Sequence, residues 1–435
     1  MKIVKSRGVL LTGLVGCLVL SAFSDGATIK DVVVRQRWPW SRLVDINYVL
    51  TCDPLAKVDV ALTVKNGTEP LALPLESLSG DNLCGISQGA HHVVWDPVKA
   101  GYTNAVFTQF NVELTPVPTP LYMIVDLTLA LNDPGQITYV YEHDLTNGLW
   151  GAWVRDPITN AGSVIKSVIW TGVTTNDIYK TDKLVLRRVP AGVSAGISVA
   201  KDMYVGVFEV TQGQWSNVMG SAVSAYFTNA IDRALRPMEN AKYTEMRGAP
   251  PTYDWPATGS AVDSNSFMGK MRSQTAFDGF DLPTYDQWTY ACQAGTTTVF
   301  NDGNASANTS GINGSGTNAW LHVLGRYRFN GGFLEDGVTE PDSNVTSDHG
   351  TAVVGSYRPN AWGLHDMHGN VAEWTLSDYL PCPGAPGQPS ARKVVRGGSW
   401  MDRPRRARSA FRLHYEPSQS VHDVGFRVVC ETAGS

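Results

Sequence analysis

The stretch VVRGGSWM, residues 394–401, decides the fold of this chain, and GFR at 425–427 completes it. A short apolar run ends at a Gly-Gly-Ser turn followed by an aromatic residue. The loop after the turn, MDRPRRAR at 401–408, carries four arginines and no sulfur except that of its methionine. No cysteine lies between the turn and the GFR motif. A ligand that reaches this loop therefore meets guanidinium groups and no thiolate.

Five further blocks precede this stretch in the same half of the chain. They are LVLRRVPAG at 184–192, YVGVFEVTQGQW at 204–215, RPMEN at 236–240, LPTYDQWTYAC at 282–292 and GLHDMHGNVAEW at 363–374. In the second block a predicted strand ends at Thr211, whose hydroxyl suits the N-cap of a following helix. Five blocks in a fixed order, with the turn and GFR ending, form a pattern that chance rarely produces.

This pattern resembles the formylglycine-generating (sulfatase-modifying factor) enzyme family over residues 184–432. The resemblance implies an α+β domain with a C-type-lectin-like fold. In catalytically competent members, two cysteines after the Gly-Gly-Ser-aromatic turn hold the copper that activates oxygen. Copper(I) prefers thiolates, and neither Met401 nor His414 replaces two of them. We therefore expect no copper and assign no catalytic residue to the loop that contains Asp402.

The same resemblance implies a calcium site in the fifth block. Transferred residue by residue, its ligands are Asp366, the backbone carbonyls of Gly369 and Val371, and Glu373. Carboxylates and carbonyls of a tight turn are the oxygen donors that calcium prefers. The alternative is that the two acids brace the turn without a metal. A non-haem iron site using His365 and His368 with these acids is not expected, because nothing in the family turns both histidines inward.

The arginine cluster after the turn predicts a binding surface. It occupies the floor of the family's substrate groove, and guanidinium groups bind carboxylate, sulfate or phosphate in bidentate fashion. We predict that this surface takes an anionic peptide, protein or glycan. The predicted ligand-binding residues are Ser399, Trp400, Arg403, Arg405, Arg406 and Arg408. The alternative is that the arginines are solvated or paired with some of the chain's 40 acidic residues.

A disulfide is also implied by the resemblance. Cys292 falls where some members carry one partner of a structural disulfide. The other partner lies just beyond the GFR motif, and Cys430 is displaced from that position by two residues, which keeps its side chain on the same face of a strand. We therefore predict a Cys292–Cys430 bond, with two unpaired core thiols as the alternative. Cys382 is left as a lone loop thiol.

The N-terminus, residues 1–27, has the pattern of a secretory signal peptide. Lys2 and Lys5 precede an apolar run from Val9 to Phe23, and small residues follow. The expected location is secreted, periplasmic or cell-surface. Cys17 also fits a lipoprotein box, so lipid anchoring at this cysteine is the alternative, and membrane contact is expected only in that case.

Residues 28–118 alternate between apolar and polar positions in several short runs separated by turns. This pattern predicts an immunoglobulin- or fibronectin-like β-sandwich. Cys52 and Cys84 both lie in it, and they form either a disulfide or two buried thiols. A proline-rich joint at 116–120 ends the domain. Residues 119–183 are either a lead-in packed on the next domain or a small independent element.

Composition narrows the functional classes. The chain has 435 residues, a hydrophobic content of 43% and a charged content of 17%, which is typical of folded domains. A formal net charge of −5 argues against nucleic acid as a bulk electrostatic partner. The sequence therefore predicts an exported, two-domain protein whose family domain binds a ligand without oxidising cysteine. The rivals are an active oxidoreductase that converts protein cysteine to formylglycine, and a purely structural or adhesion protein.

Overall fold

The computed structural model describes residues 2–3, 27–52, 58–74, 77–81, 83, 86–117, 120–131, 133, 135–146, 148–160, 163–220, 225–227, 231–249, 261–304, 316–333, 338–339, 349–379 and 392–431. The chain divides into two compact units, Met1–Thr119 and Pro120–Gly434. Most of the predicted signal peptide, including Cys17, lies outside the described residues, as do Cys84, Cys382 and most of the polar stretch at 301–316. Along the described parts of the chain, no helix is both long and apolar enough to cross a membrane.

The described residues of the first unit lie mainly in β-strands. Its strands are β1 (Lys2–Ile3), β2 (Thr28–Gln36), β3 (Val44–Thr51), β4 (Asp59–Asn66), β5 (Glu69–Pro70), β6 (Leu78–Gly80), β7 (Gly89–Trp95), β8 (Val106–Phe107) and β9 (Phe110–Val117). One sheet has the order β2-β3-β7-β6 and another has the order β5-β4-β9, while β1 pairs with β8. Buried residues of both larger sheets, such as Ile46, Val64 and Trp95, share one hydrophobic core. Burial alternates along β3, as the period-two pattern predicts.

The second unit is α+β, as the family resemblance implies. Its strands are β10 (Tyr122–Asp126), β11 (Ile137–Val140), β12 (Trp153–Asn160), β13 (Ser163–Trp170), β14 (Lys183–Val189), β15 (Gly192–Ser194), β16 (Ile197–Val199), β17 (Met203–Gly206), β18 (Phe280–Asp281), β19 (Ala372–Asp378), β20 (Lys393–Arg396), β21 (Arg412–Tyr415), β22 (Val424–Gly425) and β23 (Val429–Glu431). The main sheet has the order β11-β10-β14-β17-β23-β18, and a second has the order β21-β20-β19-β22. Residues 119–183 thus contribute β10 and β11 to the main sheet of this unit.

Short helices fill the spaces between the strands. They are α1 (Glu142–Thr146), α2 (Gln212–Met219), α3 (Tyr243–Met246), α4 (Phe267–Thr275), α5 (Tyr285–Gln293) and α6 (Leu321–Leu324). The prediction that Thr211 caps a helix is confirmed, because its hydroxyl accepts a hydrogen bond from the backbone N–H of Gln214. Thr284 caps α5 in the same way through Gln287. Both caps are reciprocal capping boxes, so each helix begins where its sequence block specifies.

The predicted Cys292–Cys430 disulfide is wrong. Both cysteines are buried and carry free thiols. Cys430 lies in the same hydrophobic core as Val428, so the displacement by two residues does keep the face of the strand. Cys292 packs with Val429 in a different core. Because neighbouring strand residues point to opposite faces, the main sheet separates the two sulfur atoms. The Cys52–Cys84 pairing stays a prediction, since Cys84 lies outside the described residues.

Candidate functional site

The second unit is built around a buried guanidinium group. Arg427 of the GFR motif is fully buried, and its Nε and Nη2 each donate to one oxygen of Glu373 at 2.7 Å. Its other N–H groups donate to the carbonyl oxygens of Gly206, at 2.7 Å, and His365, at 2.9 Å. Trp288 donates a further hydrogen bond to Glu373 at 2.7 Å. This bidentate pair joins four of the sequence blocks in one hydrogen-bonded network.

A second buried acid holds the Gly-Asn-Val turn. Glu209 accepts hydrogen bonds from the side-chain amide of Asn370 at 2.6 Å and from the backbone N–H of Val371 at 3.0 Å. Burial raises the pKa of Glu209 well above its usual range, and the charges of Asp366 and Glu373 raise it further. Glu209 of the second block therefore fixes the turn of the fifth block through two hydrogen bonds.

Asp366, the first predicted calcium ligand, has one oxygen available. Its backbone lies in the left-handed region at φ +57°, and one carboxylate oxygen accepts from the backbone N–H of Gly355 at 2.7 Å. Its other oxygen is buried without a hydrogen-bond partner among the described residues. Burial raises the pKa of Asp366 to about 6. Of the two predicted ligand side chains, Asp366 and Glu373, only Asp366 has an oxygen free to coordinate a cation.

Glu373, the last predicted ligand, does not fit a calcium ion in this arrangement. Both of its oxygens are used by Arg427 and Trp288. A divalent cation at the same carboxylate would face a buried guanidinium group, and like charges in a low-dielectric interior repel strongly. No group of three or more His, Cys, Asp or Glu side chains placed to hold a metal ion occurs within the described ranges. The four residues Asp366, Gly369, Val371 and Glu373 therefore do not fit a calcium ion in this arrangement, and the site stays a prediction.

The two histidines of the fifth block are both buried, contrary to expectation, but they form hydrogen bonds to different parts of the chain. The Nδ1 atom of His365 lies 2.8 Å from the carbonyl oxygen of Tyr357. The Nδ1 atom of His368 lies 2.7 Å from the carbonyl oxygen of Ala407, and its Nε2 accepts from the backbone N–H of Asn301 at 3.0 Å. Burial lowers the pKa of each imidazole to about 4. They are neutral packing groups, and His368 has no nitrogen left for a metal.

The arginine loop, residues 402–408, carries most of its guanidinium groups to the surface. A short helical turn at Pro404–Arg406 exposes Arg403, Arg405 and Arg406, and Arg408 is half-buried. Arg406 pairs with Asp402 at 3.1 Å, and Arg408 donates to the carbonyl oxygen of Arg405 at 2.7 Å. Neither Arg403 nor Arg405 has a carboxylate within ion-pair distance in the described part of the chain. Within the described residues, the loop thus presents two exposed arginines that no carboxylate neutralises.

Ser399 and Trp400 lie beneath this loop instead of lining it. Both are fully buried, which contradicts their predicted place in a ligand-binding surface. The Trp400 ring packs against Phe227, with centroids 5.2 Å apart, and against His422 at 5.8 Å. Phe333 lies on the same cluster. The two residues hold the start of the loop in place, because the Trp400 ring is packed in the interior and the Ser399 hydroxyl is hydrogen-bonded there.

The support includes an acid pair that the sequence did not indicate. The Ser399 hydroxyl lies 2.6 Å from a carboxylate oxygen of Asp423 and 3.2 Å from one of Asp402. Asp402 is buried, and burial together with the charge of Asp423 raises its pKa to about 6. Burial likewise raises the pKa of Asp423. In the sequence, Asp423 could have been singled out only by its position just before the GFR motif.

Replacing Asp402 by asparagine is expected to stabilise the protein increasingly as the pH rises. The folded-state pKa of about 6 lies above the ordinary aspartate pKa of 3.8, which the unfolded chain has, so between these pH values the folded protein holds a proton that the unfolded chain has lost. The wild type therefore loses stability relative to the variant as the pH rises from 4 to about 6, and the difference is constant above that. Urea unfolding at pH 4 and pH 7.5 measures it, with Asp278→Asn at an exposed site as the control. A pH-independent difference would contradict this.

A comparison with known proteins agrees with the geometry of the six sequence blocks. The family model described as the sulfatase-modifying factor enzyme 1-like domain matches residues 176–432, more than half of the chain. The chain belongs to this family. The sulfatase-modifying factor domain thus includes the arginine loop, the buried Arg427 network and the Gly-Asn-Val turn.

The relatives carry different names. A mouse protein named inactive C-alpha-formylglycine-generating enzyme 2 is 33% identical over 159 residues, which are 35% of this chain and 43% of that protein. The chaperone protein LppX of Paenibacillus barcinonensis is 25% identical over 52% of this chain and 80% of its own length. The formylglycine-generating enzyme of Mycobacterium tuberculosis is 27% identical over 35% of this chain and 52% of its own.

Among solved structures, the Treponema denticola variable protein 1 aligns with 57% of this chain and 96% of its own. Its sequence identity is 21% and the TM-score is 0.40. The chain spans less than half of the mouse relative.

Proposed function

We propose that the sulfatase-modifying factor domain of this exported protein binds an anionic group at its arginine loop and does not oxidise cysteine. The observation that carries the proposal is the exposure of Arg403 and Arg405, neither of which has an ion-pair partner among the described residues. The two side chains favour recognition of a carboxylate, sulfate or phosphate group, because each guanidinium group can donate two parallel hydrogen bonds. The ligand class is a carboxylated, sulfated or phosphorylated peptide, protein or glycan.

The composition of the loop supports binding over oxidation. A cysteine oxidase of this family needs soft sulfur ligands, and the loop offers only Met401. Asp402 is instead buried and paired with Arg406. A carboxylate–guanidinium pair at this position stabilises the loop but transfers no electrons. The name of the mouse relative, an inactive enzyme, is consistent with a family member that has lost catalysis.

The test compares two matched double variants. Arg403→Ala/Arg405→Ala is expected to weaken binding of a heparin oligosaccharide and of a glutamate-rich peptide at least about tenfold, since hydrogen bonds to charged groups contribute about 1.5–3 kcal/mol each. Lys201→Ala/Arg358→Ala removes the same charge from exposed positions elsewhere in the unit and is expected to have little effect. Calorimetry at two salt concentrations measures both. Equal binding by the two double variants would refute the proposal.

Oxidation of cysteine is the second candidate, because relatives named formylglycine-generating enzyme match this chain. Incubating the protein with a cysteine peptide, copper, reductant and oxygen tests it directly. Our proposal predicts no aldehyde by mass spectrometry, beside an active enzyme as positive control. Conversion of the cysteine would show that another set of metal ligands exists in this chain.

A further inference from the structure

The turn between β2 and β3 presents two tryptophans to solvent. Trp40 is 91% exposed and Trp38 is 47% exposed. With Arg35, Arg37 and Asp45 they line an open cleft of about 460 Å³, to which Gln36 and Ser41 also contribute. A single exposed ring needs no explanation, but neighbouring exposed rings rimmed by polar side chains are typical of a ligand-binding groove. The arginine loop belongs to the other unit, so this cleft is a separate feature.

The turn is held in a fixed shape by hydrogen bonds of its own. The backbone N–H groups of Trp40 and Ser41 donate to the carbonyl oxygen of Arg37 at 3.0 and 3.1 Å, and Arg37 N–H donates to Leu43 at 2.9 Å. The Arg37 side chain forms a bidentate pair with Asp45, at 2.9 and 2.7 Å. The exposed rings therefore stand on a braced hairpin, which lowers the entropy cost of binding.

We propose that this cleft binds an acidic oligosaccharide. A sugar ring has an apolar face of C–H groups and a polar rim, and it stacks on an indole while its hydroxyls reach nearby donors and acceptors. The cleft offers both: indole faces from Trp38 and Trp40, an acceptor in Asp45, and donors on the arginines. Arg37 is neutralised by Asp45, whereas Arg35 has no ion-pair partner in the described part of the chain. The unmatched positive charge selects an anionic sugar such as a uronate.

The size of the cleft favours a sugar over a protein partner. A volume of about 460 Å³ falls within the range of small-ligand pockets. A stable protein interface needs roughly 20–30 residues a side, whereas this cleft is lined by 7. Its wide opening to solvent leaves room for a sugar chain that is longer than the cleft.

The experiment titrates the full chain with a galacturonic acid tetramer and with the neutral galactose tetramer, by calorimetry. The acidic tetramer is expected to bind better. Trp40→Ala is expected to weaken its binding at least about tenfold, as truncation of an exposed aromatic anchor does. Trp40→Phe is expected to keep part of the affinity, and Arg35→Ala to remove the preference for the acidic sugar. Lys30→Ala, an exposed basic residue of the same strand, is the matched control.

Three outcomes would overturn the proposal. They are the absence of binding to either tetramer, binding that Trp40→Ala leaves unchanged, and equal binding of the neutral tetramer. Self-association that Trp40→Ala abolishes, measured by sedimentation, would assign the cleft to a second copy of the chain. The arginine loop is itself proposed to bind carboxylated glycans, so the titrations are repeated in the double variant Arg403→Ala/Arg405→Ala. Tetramer binding that persists in this background and is lost on adding Trp40→Ala belongs to the cleft, so the two proposed sites fail or succeed independently.

Discussion

Replacing Arg427 by methionine is expected to lower the free energy of unfolding by about 3–5 kcal/mol, the usual cost of removing one partner of a buried ion pair. The substitution leaves Glu373 fully buried with only the Trp288 N–H as a donor. It also brings back the repulsion between Glu373 and the buried carboxyl groups of Glu209 and Asp366, which Arg427 offsets. Urea unfolding at neutral pH measures the loss.

The matched control is Arg405→Met, which removes an equal charge from an exposed position. We expect a change within about 0.5 kcal/mol, as for most surface substitutions. The double variant Glu373→Gln/Arg427→Met is expected to lose less stability than the sum of the two single variants, because it leaves no unpaired charge. Additive losses would show that the pair does not act as a unit.

Replacing Gly369 by alanine is expected to cost about 3 kcal/mol or more, among the largest effects of a single added methyl group. Gly369 has φ +92°, which disfavours any side chain, and an added Cβ would lie 2.0 Å from the carbonyl oxygen of Arg326. Backbone cannot move aside as a flexible side chain does. The neighbouring residue Asn370 also donates its N–H to that carbonyl at 2.8 Å, so relief of the clash breaks a hydrogen bond.

Gly316→Ala serves as the comparison, since no described residue apart from its chain neighbours comes within 4 Å of the added methyl group. We expect it to be nearly neutral in thermal and urea unfolding. If Gly369→Ala yields no soluble protein, the soluble fraction of the two variants expressed in parallel still ranks them. Equal stability of the two variants would contradict the predicted contact between the Gly-Asn-Val turn and Arg326.

Local rules of sequence predicted the elements of this fold well. The hydroxyl of Thr211 caps α2, and the period-two runs of the N-terminal region form strands, because both depend on interactions within a few residues. The α+β class of the second unit was implied by the resemblance of its blocks to the family. These features need no knowledge of which distant segments meet.

Predictions that depended on distant segments fared worse. Period-two spacing placed Cys430 on the correct side of its own strand, but no pattern told which face of the sheet α5 would cover, so the disulfide prediction was wrong. Exposure of Ser399 and Trp400 was misjudged for the same reason, because the rings that pack against Trp400, those of Phe227, Phe333 and His422, come from distant parts of the sequence. The hydroxyl of Ser399 lies between the buried carboxylates of Asp402 and Asp423, and Asp423 is 24 residues away from Ser399 in sequence.

The position of β10 has a practical consequence for shortened versions of the protein. The family match begins at residue 176, yet β10 at Tyr122–Asp126 pairs with β14 along five residues. A chain that starts at the family boundary would leave β14 with a bare row of N–H and C=O groups. Such unprotected edges recruit strands from other molecules. The unit that folds is thus longer than the unit that homology recognises, and expression should begin ahead of Tyr122.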